Sequence, residues 1–324
     1  MCSSDLPEVV RAAVGLVKQA IAEAERDGVP GPHFAAMDIG PSGKLLAPLG
    51  DLPFEDAYDA FHEAALAGAQ AGADCILIET MSDTYELKAA VLAAKETGLP
   101  VLATATVDGR GKLLTGADMP ALAALLSGLG VTALGLNCGF GAQALLPCLF
   151  ALRRSCDVPL IINPNAGLPQ SESGRTVFSE TPEAFALALE EASRAGAWLL
   201  GGCCGTTPAH LRAMTDRLKG FAPLPIAPIR ATVVSSGSRA VAIGGRAPAL
   251  IGERINPTGK PAMKRALREG NHALLLREAV RQQEAGAEIL DVNAGLPDID
   301  EAEALKRLVP AIQAVCDVPL QIDT

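Results

Sequence analysis

The chain has 324 residues, of which 49% are hydrophobic, and this is enough apolar material for the cores of about two domains. A formal net charge of −10 and an aromatic content of 3% argue against a surface for nucleic acid or anionic membranes. No apolar run approaches the length of a membrane span, so we expect neither nucleic acid nor a membrane among the partners.

The cysteine content and the start of the chain indicate where the protein works. The first residues lack the basic and apolar regions of a secretory signal, so we expect a cytoplasmic protein. In that reducing compartment thiols serve metals or chemistry rather than disulfides, and we expect five of the eight cysteines to do neither. Residues 1–6 resemble the translation of a common sequencing adapter, and our hypothesis is that they are foreign to the protein.

Helical and strand-like segments alternate along the first two thirds of the chain. Apolar residues recur at helical spacing over 7–27. Short apolar runs typical of buried strands follow at 33–40, 74–80, 100–107, 131–138, 158–164 and 197–203. Thr181 and Thr207, each followed by proline, mark two of the helix starts between them. This alternation predicts an α/β fold with a parallel sheet.

Six strands separated by helices fit either an open doubly wound sheet or part of a (β/α)8 barrel. Two observations favour the barrel. Polar or special residues end most of the strands, as the ring of functional loops on a barrel requires. These residues are Asp38, Glu79, Cys138, Asn163 and Cys203. The chain also opens with a helix, so we expect a TIM-type barrel that lacks its first two strands.

A second series of strands and helices follows a change in composition. Prolines and serines are frequent over 219–247, which predicts a linker between a first domain at 1–218 and a second at 248–324. The second domain has predicted strands at 248–254, 287–293 and 318–323, and predicted helices at 260–269 and 271–285. Three strands cannot bury both faces of a parallel sheet, so we expect this domain to be only partly present.

The two domains share sequence at corresponding junctions. Residues 156–163 resemble residues 316–323, since both begin with Cys-Asp-Val-Pro-Leu. The motif Asn-Ala-Gly-Leu-Pro occurs at both 165–169 and 293–297. The simplest interpretation is two barrels of one architecture in tandem.

Three cysteines at strand ends are the strongest candidates for chemistry. Cys138 ends one apolar run, the adjacent Cys203 and Cys204 end another, and glycine follows in both places. The carboxyl ends of parallel strands lie on one face, so we expect the three thiols to converge. Three thiolates with no histidine nearby fit a zinc ion whose fourth position stays open. A pair of core residues or a vicinal disulfide is the alternative for Cys203 and Cys204.

Several motifs carry a resemblance to known families. Gly-Leu-Asn-Cys-Gly at 135–139 and Gly-Gly-Cys-Cys-Gly-Thr-Thr-Pro at 201–208 resemble the homocysteine S-methyltransferase family, as do segments 38–43 and 78–81. The second domain is similar to the start of pterin-binding methyltransferase barrels, and the segments that carry this similarity are 252–256, 291–293 and 322–324. The tandem order of the two is similar to that of the cobalamin-dependent methionine synthase family.

The first resemblance implies a zinc site and a substrate site. It implies that Cys138, Cys203 and Cys204 hold zinc and that homocysteine is the substrate. It also implies that Glu79 binds the amino group of homocysteine, with Asp38 as a second candidate in the substrate site. The residues alone leave an alternative for Glu79, namely a carboxylate stabilised by the dipole of the helix that follows.

The second resemblance implies a pterin site at the strand ends of the second domain. Asparagine and carboxylate groups can pair with the donor–acceptor edge of a pterin ring. The candidates are Asn256, Asp291, Asn293 and Asp323. From the sequence alone, each of these could equally be a turn or cap residue. We expect the neighbouring Glu253 and Arg254 to form an ion pair.

Together, the resemblances imply methyl transfer from 5-methyltetrahydrofolate, via cobalamin, to zinc-activated homocysteine, which gives methionine. Cobalamin would be bound by a domain absent from this chain, so the expected partners are homocysteine, methyltetrahydrofolate and that cobalamin domain. Two alternatives stay open. One is a cobalamin-independent homocysteine S-methyltransferase that uses a sulfonium or betaine donor. The other is a non-catalytic scaffold whose zinc site is closed by a fourth protein ligand.

Overall fold

The computed structural model describes residues 5–172, 174–244 and 247–323. Residues 1–4 of the adapter-like segment and Thr324 of the last pterin motif therefore lie outside the described residues. The chain divides into two compact units, one of residues 1–46 and 52–229 and the other of residues 47–51 and 230–324. No helix in the described ranges is long and apolar enough to cross a membrane.

The first unit alternates helices and strands, as the sequence predicts. Its helices are α1 (Leu6–Arg26), α2 (Phe54–Gln70), α3 (Thr84–Lys95), α4 (Met119–Gly128), α5 (Ala142–Arg153), α6 (Pro182–Arg194) and α7 (Pro208–Arg217). Its strands are β1 (Ala36–Ile39), β2 (Cys75–Met81), β3 (Val101–Ala105), β4 (Ala133–Gly141), β5 (Leu160–Asn165), β6 (Pro169–Glu172), β7 (Arg175–Phe178) and β8 (Ala197–Leu200). All six predicted strands are present, and the short antiparallel pair β6–β7 is an addition to them.

The six predicted strands form a single parallel sheet in the order β1-β2-β3-β4-β5-β8. Because the strand order follows the chain without reversal, the sheet lacks the switch point of a doubly wound fold. All the carboxyl ends lie at one edge, and the loops that follow them share that edge. The predicted α/β class and parallel sheet are confirmed.

Side chains at the helix starts fix where these loops end. Asp83 begins α3 by accepting a hydrogen bond from the backbone N–H of Tyr85 at 3.0 Å. Thr181 begins α6, as predicted, by accepting one from the backbone N–H of Ala184 at 3.3 Å. Thr207 precedes α7, also as predicted. Such caps satisfy amide groups that the first helical turn leaves unpaired.

The second unit contains two small sheets. Its strands are β9 (Thr232–Ser235), β10 (Ala240–Ile243), β11 (Ile251–Ile255), β12 (Ile289–Asn293) and β13 (Leu320–Asp323), and its helices are α8 (Pro261–Arg268), α9 (Ala273–Glu284) and α10 (Glu301–Gln313). Strands β11, β12 and β13 pair in parallel, and β9 pairs with β10 as an antiparallel hairpin. This hairpin lies inside the segment 219–247 that we predicted as a linker. The Ser236 hydroxyl at its turn donates to the carbonyl of Asp317 at 2.7 Å.

Candidate metal centre and substrate site

Three thiols meet at the carboxyl edge of the first sheet. Cys138 lies in β4, while Cys203 and Cys204 lie in the loop between β8 and α7. The Sγ atom of Cys204 is 3.9 Å from that of Cys138 and 3.9 Å from that of Cys203. All three sulfur atoms lie within 4.8 Å of one another. In the part of the chain that the structure describes, no other group of three or more His, Cys, Asp or Glu side chains is placed to share a metal ion.

The sulfur positions match those of a tetrahedral metal site. Zn–S bonds of about 2.3 Å at tetrahedral angles place neighbouring sulfur atoms about 3.8 Å apart. The two separations of 3.9 Å agree with this value. Cys203 and Cys204 are free thiols, so the vicinal disulfide considered from the sequence is not formed. The donor set therefore fits a thiophilic cation such as zinc.

The end of β5 holds the cysteine pair in place. The backbone N–H of Cys203 donates to the carbonyl of Pro164 at 2.8 Å, and that of Cys204 donates to Oδ1 of the buried Asn165 at 3.1 Å. The carbonyl of Cys204 accepts from the N–H of Ala166 at 2.9 Å. Backbone groups rather than sulfur atoms make these contacts. The loop is therefore fixed while its thiols stay available to a ligand.

Two glycines permit the sharp path of this loop. A Cβ at Gly202 would lie 2.3 Å from Oγ1 of Thr206. Gly205 has a φ of +77°, and a Cβ there would lie 2.2 Å from the ring of Phe178. Side chains rarely adopt such a φ and cannot approach a neighbour so closely. The glycines around the cysteine pair are therefore a steric requirement of the site.

Two of the metal-free thiols, Cys203 and Cys204, hold their protons more tightly than an ordinary cysteine. Burial, followed by the neighbouring charges of Cys138 and Cys204, raises the pKa of Cys203 to about 12. Partial desolvation, followed by the charge of Cys138, also raises the pKa of the exposed Cys204. Both causes penalise the thiolate, because a buried anion loses hydration and is repelled by other anions. A bound divalent cation would reverse both effects.

Glu79 and Asp38 form an acidic pair beside the thiols. Glu79 lies in β2, and burial together with the charge of Asp38 raises the pKa of its carboxyl group. Partial desolvation also raises the pKa of Asp38, although this side chain is exposed at the end of β1. Helix α3 begins only at Thr84 and is capped by Asp83, so Glu79 is not an acid of its first turn. Glu79 therefore lies in the strand, ahead of the turn that a helix-dipole role would require.

Sequence reasoning assigned no role to Asn137, which joins these groups. Its side chain is fully buried, and its Nδ2 donates to Oε2 of Glu79 at 3.2 Å and lies 4.0 Å from Sγ of Cys203. The only available signal was its position beside Cys138 at a strand end. A sequence does not show which way an amide points, so this link required the structure.

Acidic and amide groups also meet at the carboxyl edge of the second sheet. Burial, followed by the charges of Asp323 and Glu253, raises the pKa of Asp291 in β12. Asn293 pairs with Asp323 across β12 and β13, and its Nδ2 donates to Oδ2 of Asp323 at 3.1 Å. Nδ2 of Asn256 donates to Oε1 of Glu253 at 2.8 Å. The four pterin candidates therefore lie along one edge, together with Glu253.

The two asparagines are turn residues as well. Oδ1 of Asn256 accepts from the N–H of Thr258 at 2.9 Å, and Oδ1 of Asn293 accepts from the N–H of Gly295 at 2.9 Å. Each asparagine is therefore a turn residue through its Oδ1, while its Nδ2 donates to an acidic side chain at the same edge of the sheet.

The expected ion pair between Glu253 and Arg254 is wrong. Nε of Arg254 instead lies 3.1 Å from Oε2 of Glu278 on α9. Successive strand residues face opposite sides of a sheet, so these two neighbours point apart.

The fold and the thiol cluster define a class of protein, namely a parallel β/α protein with a three-thiol site for a metal at the carboxyl ends of its strands. The family model for homocysteine S-methyltransferase matches residues 2–218, and the model for pterin-binding enzymes matches residues 252–324. The chain therefore belongs to the homocysteine S-methyltransferase family, and a pterin-binding domain follows in the same chain.

Individual relatives agree with this assignment. The chain is 32% identical to a methionine synthase of Mycobacterium tuberculosis and 31% identical to one of Mycobacterium leprae, over 94% and 90% of its own length. It spans only 26% and 25% of those proteins, or about a quarter of each.

Solved structures show the same fold over about two thirds of the chain. The metallated form of the homocysteine methyltransferase MmuM from Escherichia coli is 26% identical, with a TM-score of 0.53, over 67% of this chain and 73% of that one. The apo form of the same enzyme is 24% identical, with a TM-score of 0.56, over 67% of this chain and 75% of that one.

Proposed function

We propose that Cys138, Cys203 and Cys204 hold a zinc ion whose fourth position receives the thiol of homocysteine. The sulfur separations of 3.9 Å, which match a tetrahedral zinc site, are the observation that carries this proposal. No fourth His, Cys, Asp or Glu in the described ranges joins the group, which speaks against a site closed by such a ligand. Zinc in such a site would lower the pKa of the substrate thiol and so supply a thiolate nucleophile near neutral pH.

The chain's own residues would recognise the other end of homocysteine. Glu79 and Asp38 bring two carboxyl groups close enough for the charge of Asp38 to raise the pKa of Glu79. An ammonium group bound there would relieve this repulsion. A single amide, that of Asn137, spans from Oε2 of Glu79 to the vicinity of Cys203 Sγ. The ammonium and thiol ends of one small amino acid could therefore be held at once, and this orients the sulfur towards a methyl donor.

The second unit supports a folate as the source of the methyl group. The pterin-binding match and the edge formed by Asn256, Asp291, Asn293 and Asp323 fit a donor–acceptor ring edge. We therefore propose methyl transfer from N5 of 5-methyltetrahydrofolate, via cobalamin held by a further domain, to the homocysteine sulfur. In the net reaction, the bond between N5 and the methyl carbon breaks and a sulfur–carbon bond forms. The proton lost by the homocysteine thiol is balanced by the one that N5 gains, so methionine and tetrahydrofolate are the products. Similarity to methionine synthases over a quarter of their length supports this route.

The same proposal extends to the architecture. The six strands follow chain order with parallel pairing throughout, as they would in part of a (β/α)8 barrel. We propose that each unit belongs to a TIM-type barrel, and that the two barrels stand in tandem.

A second candidate function is a cobalamin-independent homocysteine methyltransferase. The likeness of the first unit to the Escherichia coli homocysteine methyltransferase favours it. The two functions differ in the donor, so methionine formation from a sulfonium or betaine donor without cobalamin would select the second. The match of residues 252–324 to pterin-binding enzymes favours the first.

Metal analysis of cysteine variants tests the zinc proposal. We expect the protein to retain about one zinc per chain after dialysis against a weak chelator. Changing Cys138, Cys203 and Cys204 together to serine should abolish retention, because serine hydroxyls stay protonated and bind zinc poorly. Cys148→Ser is the matched control, since this half-buried thiol on α5 lies outside the cluster. Zinc retained by the triple variant would contradict the proposal.

A further inference from the structure

The side-chain amide of Asn137 lies at a crossing point between three strands. Its Oδ1 accepts from the backbone N–H of Thr80 at 2.7 Å and from the hydroxyl of Thr104 at 2.8 Å. Its Nδ2 donates to the hydroxyl of Thr80 at 2.6 Å and to Oε2 of Glu79 at 3.2 Å, and lies 4.0 Å from Sγ of Cys203. The residue has an exposed fraction of 0%, and its amide has partners at both ends.

The orientation of this amide follows from its partners. A backbone N–H can only donate, so the atom that faces the N–H of Thr80 must be the oxygen. The nitrogen must then face Glu79 and Cys203. The two N–H groups of this amide are donated to the Thr80 hydroxyl and to Oε2 of Glu79, and Sγ of Cys203 lies 4.0 Å from the same nitrogen.

A hydroxyl completes the link to the carboxylate. The hydroxyl of Thr80 accepts from Nδ2 of Asn137 at 2.6 Å. Hydrogen bonding by the same side chain lowers the pKa of the neighbouring Glu79 carboxyl group and so opposes the effects of burial and Asp38. Asn137 thus reaches Glu79 directly and through one intermediate group. Two connections fix the position of a carboxylate better than one, because rotation about a single hydrogen bond is no longer free.

Backbone strain marks the same place. Thr80 and Cys138 both have a φ of +59°, and they are the two non-glycine residues with positive φ among the described residues. Positive φ in a β-branched residue such as Thr80 is uncommon and persists only where the surroundings enforce it. The bond from the Thr80 N–H to Asn137 is such a constraint. Strain therefore occurs next to Glu79 on β2 and at Cys138 on β4, the two strand ends that Asn137 joins.

We infer that Asn137 is a positioning residue that fixes the Glu79 carboxylate relative to the Cys203 thiolate, and so sets the site for a substrate that carries both an ammonium group and a thiol. This inference rests on the proposed function, since it takes Glu79 as the ammonium site and Cys203 as a metal ligand. In this assignment Asn137 does not itself contact the substrate. It acts on the ammonium end of the substrate through Glu79 and Thr80. If Asn137 only stabilised the fold, its loss would weaken binding of the ammonium end and of the thiol end equally.

The test compares two ligands on metal-loaded protein. One is homocysteine, and the other is its deamino analogue, mercaptobutanoate, which keeps the thiol and the carboxylate but lacks the ammonium group. Cobalt(II) replaces zinc, so that the thiolate-to-cobalt absorption band reports the metal site while calorimetry reports each dissociation constant. Asn137→Ala removes the amide. Thr80→Val removes only the connecting hydroxyl and keeps the backbone N–H that faces Asn137.

We expect Asn137→Ala to weaken homocysteine binding about 10–100-fold, the range found when partners of ligand groups are removed. Mercaptobutanoate should lose at least about tenfold less, because it makes no use of Glu79. Thr80→Val should also weaken the binding of homocysteine more than that of mercaptobutanoate, by a smaller factor than Asn137→Ala. It should leave the cobalt absorption band unchanged. The control is Thr104→Val, which removes a partner of Asn137 on the side away from Glu79. It should leave the ratio between the two ligands unchanged.

Each outcome has one meaning. Equal losses for both ligands in Asn137→Ala, or no change of the ratio in Thr80→Val, would overturn the positioning role. If Asn137→Ala does not fold, Thr80→Val decides alone. Failure of the unmodified protein to bind cobalt or homocysteine would instead overturn the proposed function itself.

Discussion

The pH dependence of zinc binding tests the thiol cluster most directly. Burial and neighbouring thiols raise the pKa of Cys203 to about 12 and raise that of Cys204 above its ordinary value. Below about pH 8, both thiols therefore carry protons in the metal-free chain. Only thiolates bind zinc, so protons and zinc compete for the same sulfur atoms. Zinc affinity should consequently rise as the pH rises.

The magnitude follows from the number of protons displaced. At least two protons, from Cys203 and Cys204, must leave for each zinc that binds. The association constant should therefore rise by at least about 100-fold for each pH unit. Between pH 6 and pH 8 this amounts to about 10⁴-fold, or about 5.5 kcal/mol of binding free energy.

Two measurements check this value. Competition with a chromophoric chelator gives the zinc association constant at each pH, and calorimetry in buffers of different ionisation enthalpy counts the protons released. Cys204→Ser should release about one proton fewer, because a serine hydroxyl has none to lose in this range. Cys148→Ser, outside the cluster, should release as many as the unmodified protein. Release of fewer than about two protons by the unmodified protein would refute the reasoning, since the two protonated thiols would then not both be ligands.

Two further predictions concern the packing of the first unit and the acids of the second. Gly205→Ala should destabilise the first unit by about 2–4 kcal/mol and weaken zinc binding, because the new methyl group meets the ring of Phe178 at a φ of +77°. Asp291→Asn should raise the thermal midpoint of the second unit at pH 7 and weaken pterin binding. The raised pKa of Asp291 means that its ionisation opposes folding, so this gain should disappear as the pH falls below about 3.9.

Each of these predictions has a control and an opposing result. Gly98→Ala adds a methyl group at a φ of +74° with no atom within 4 Å, so it should cost only about 1–2 kcal/mol. Equal losses for Gly205→Ala and Gly98→Ala in chemical denaturation would show that crowding against Phe178 is unimportant. For Asp291→Asn, a thermal midpoint at pH 7 below that of the unmodified protein would show that the carboxylate stabilises the fold.

The sequence predicted those parts of the fold that depend on apolar runs. All six strands of the first sheet bury apolar side chains and follow one another at regular intervals, so their runs stand out. The hairpin β6–β7 left no such signal, because every residue of Pro169–Glu172 is exposed. The hairpin β9–β10 was hidden for a different reason, since it lies among the prolines and serines that also indicate a linker.

The site was predictable where chemistry is carried by rare residues. Cys138, Cys203 and Cys204 stand out because glycine follows them at strand ends, and the structure brings their sulfur atoms together. Asn137 and Asn165 did not stand out, because an asparagine in a loop has many uses. Their roles depend on partners far away in the sequence, such as Glu79 for Asn137, 58 positions earlier.

The sulfur atoms of the three cysteines lie within 4.8 Å of one another, and the effect of this proximity depends on their charge. As neutral thiols they pack like small apolar groups. As free thiolates, two sulfur atoms 3.9 Å apart would repel each other by about 4 kcal/mol at an effective dielectric constant of 20. The cluster is therefore stable with protons or with a cation, and unstable as three bare anions. Pro164 and Asn165 hold the backbone of the cysteine pair through its N–H groups, so the loop does not depend on the sulfur atoms for its hydrogen bonds. A site arranged in this way exchanges protons for a metal ion without rebuilding the loop that carries it.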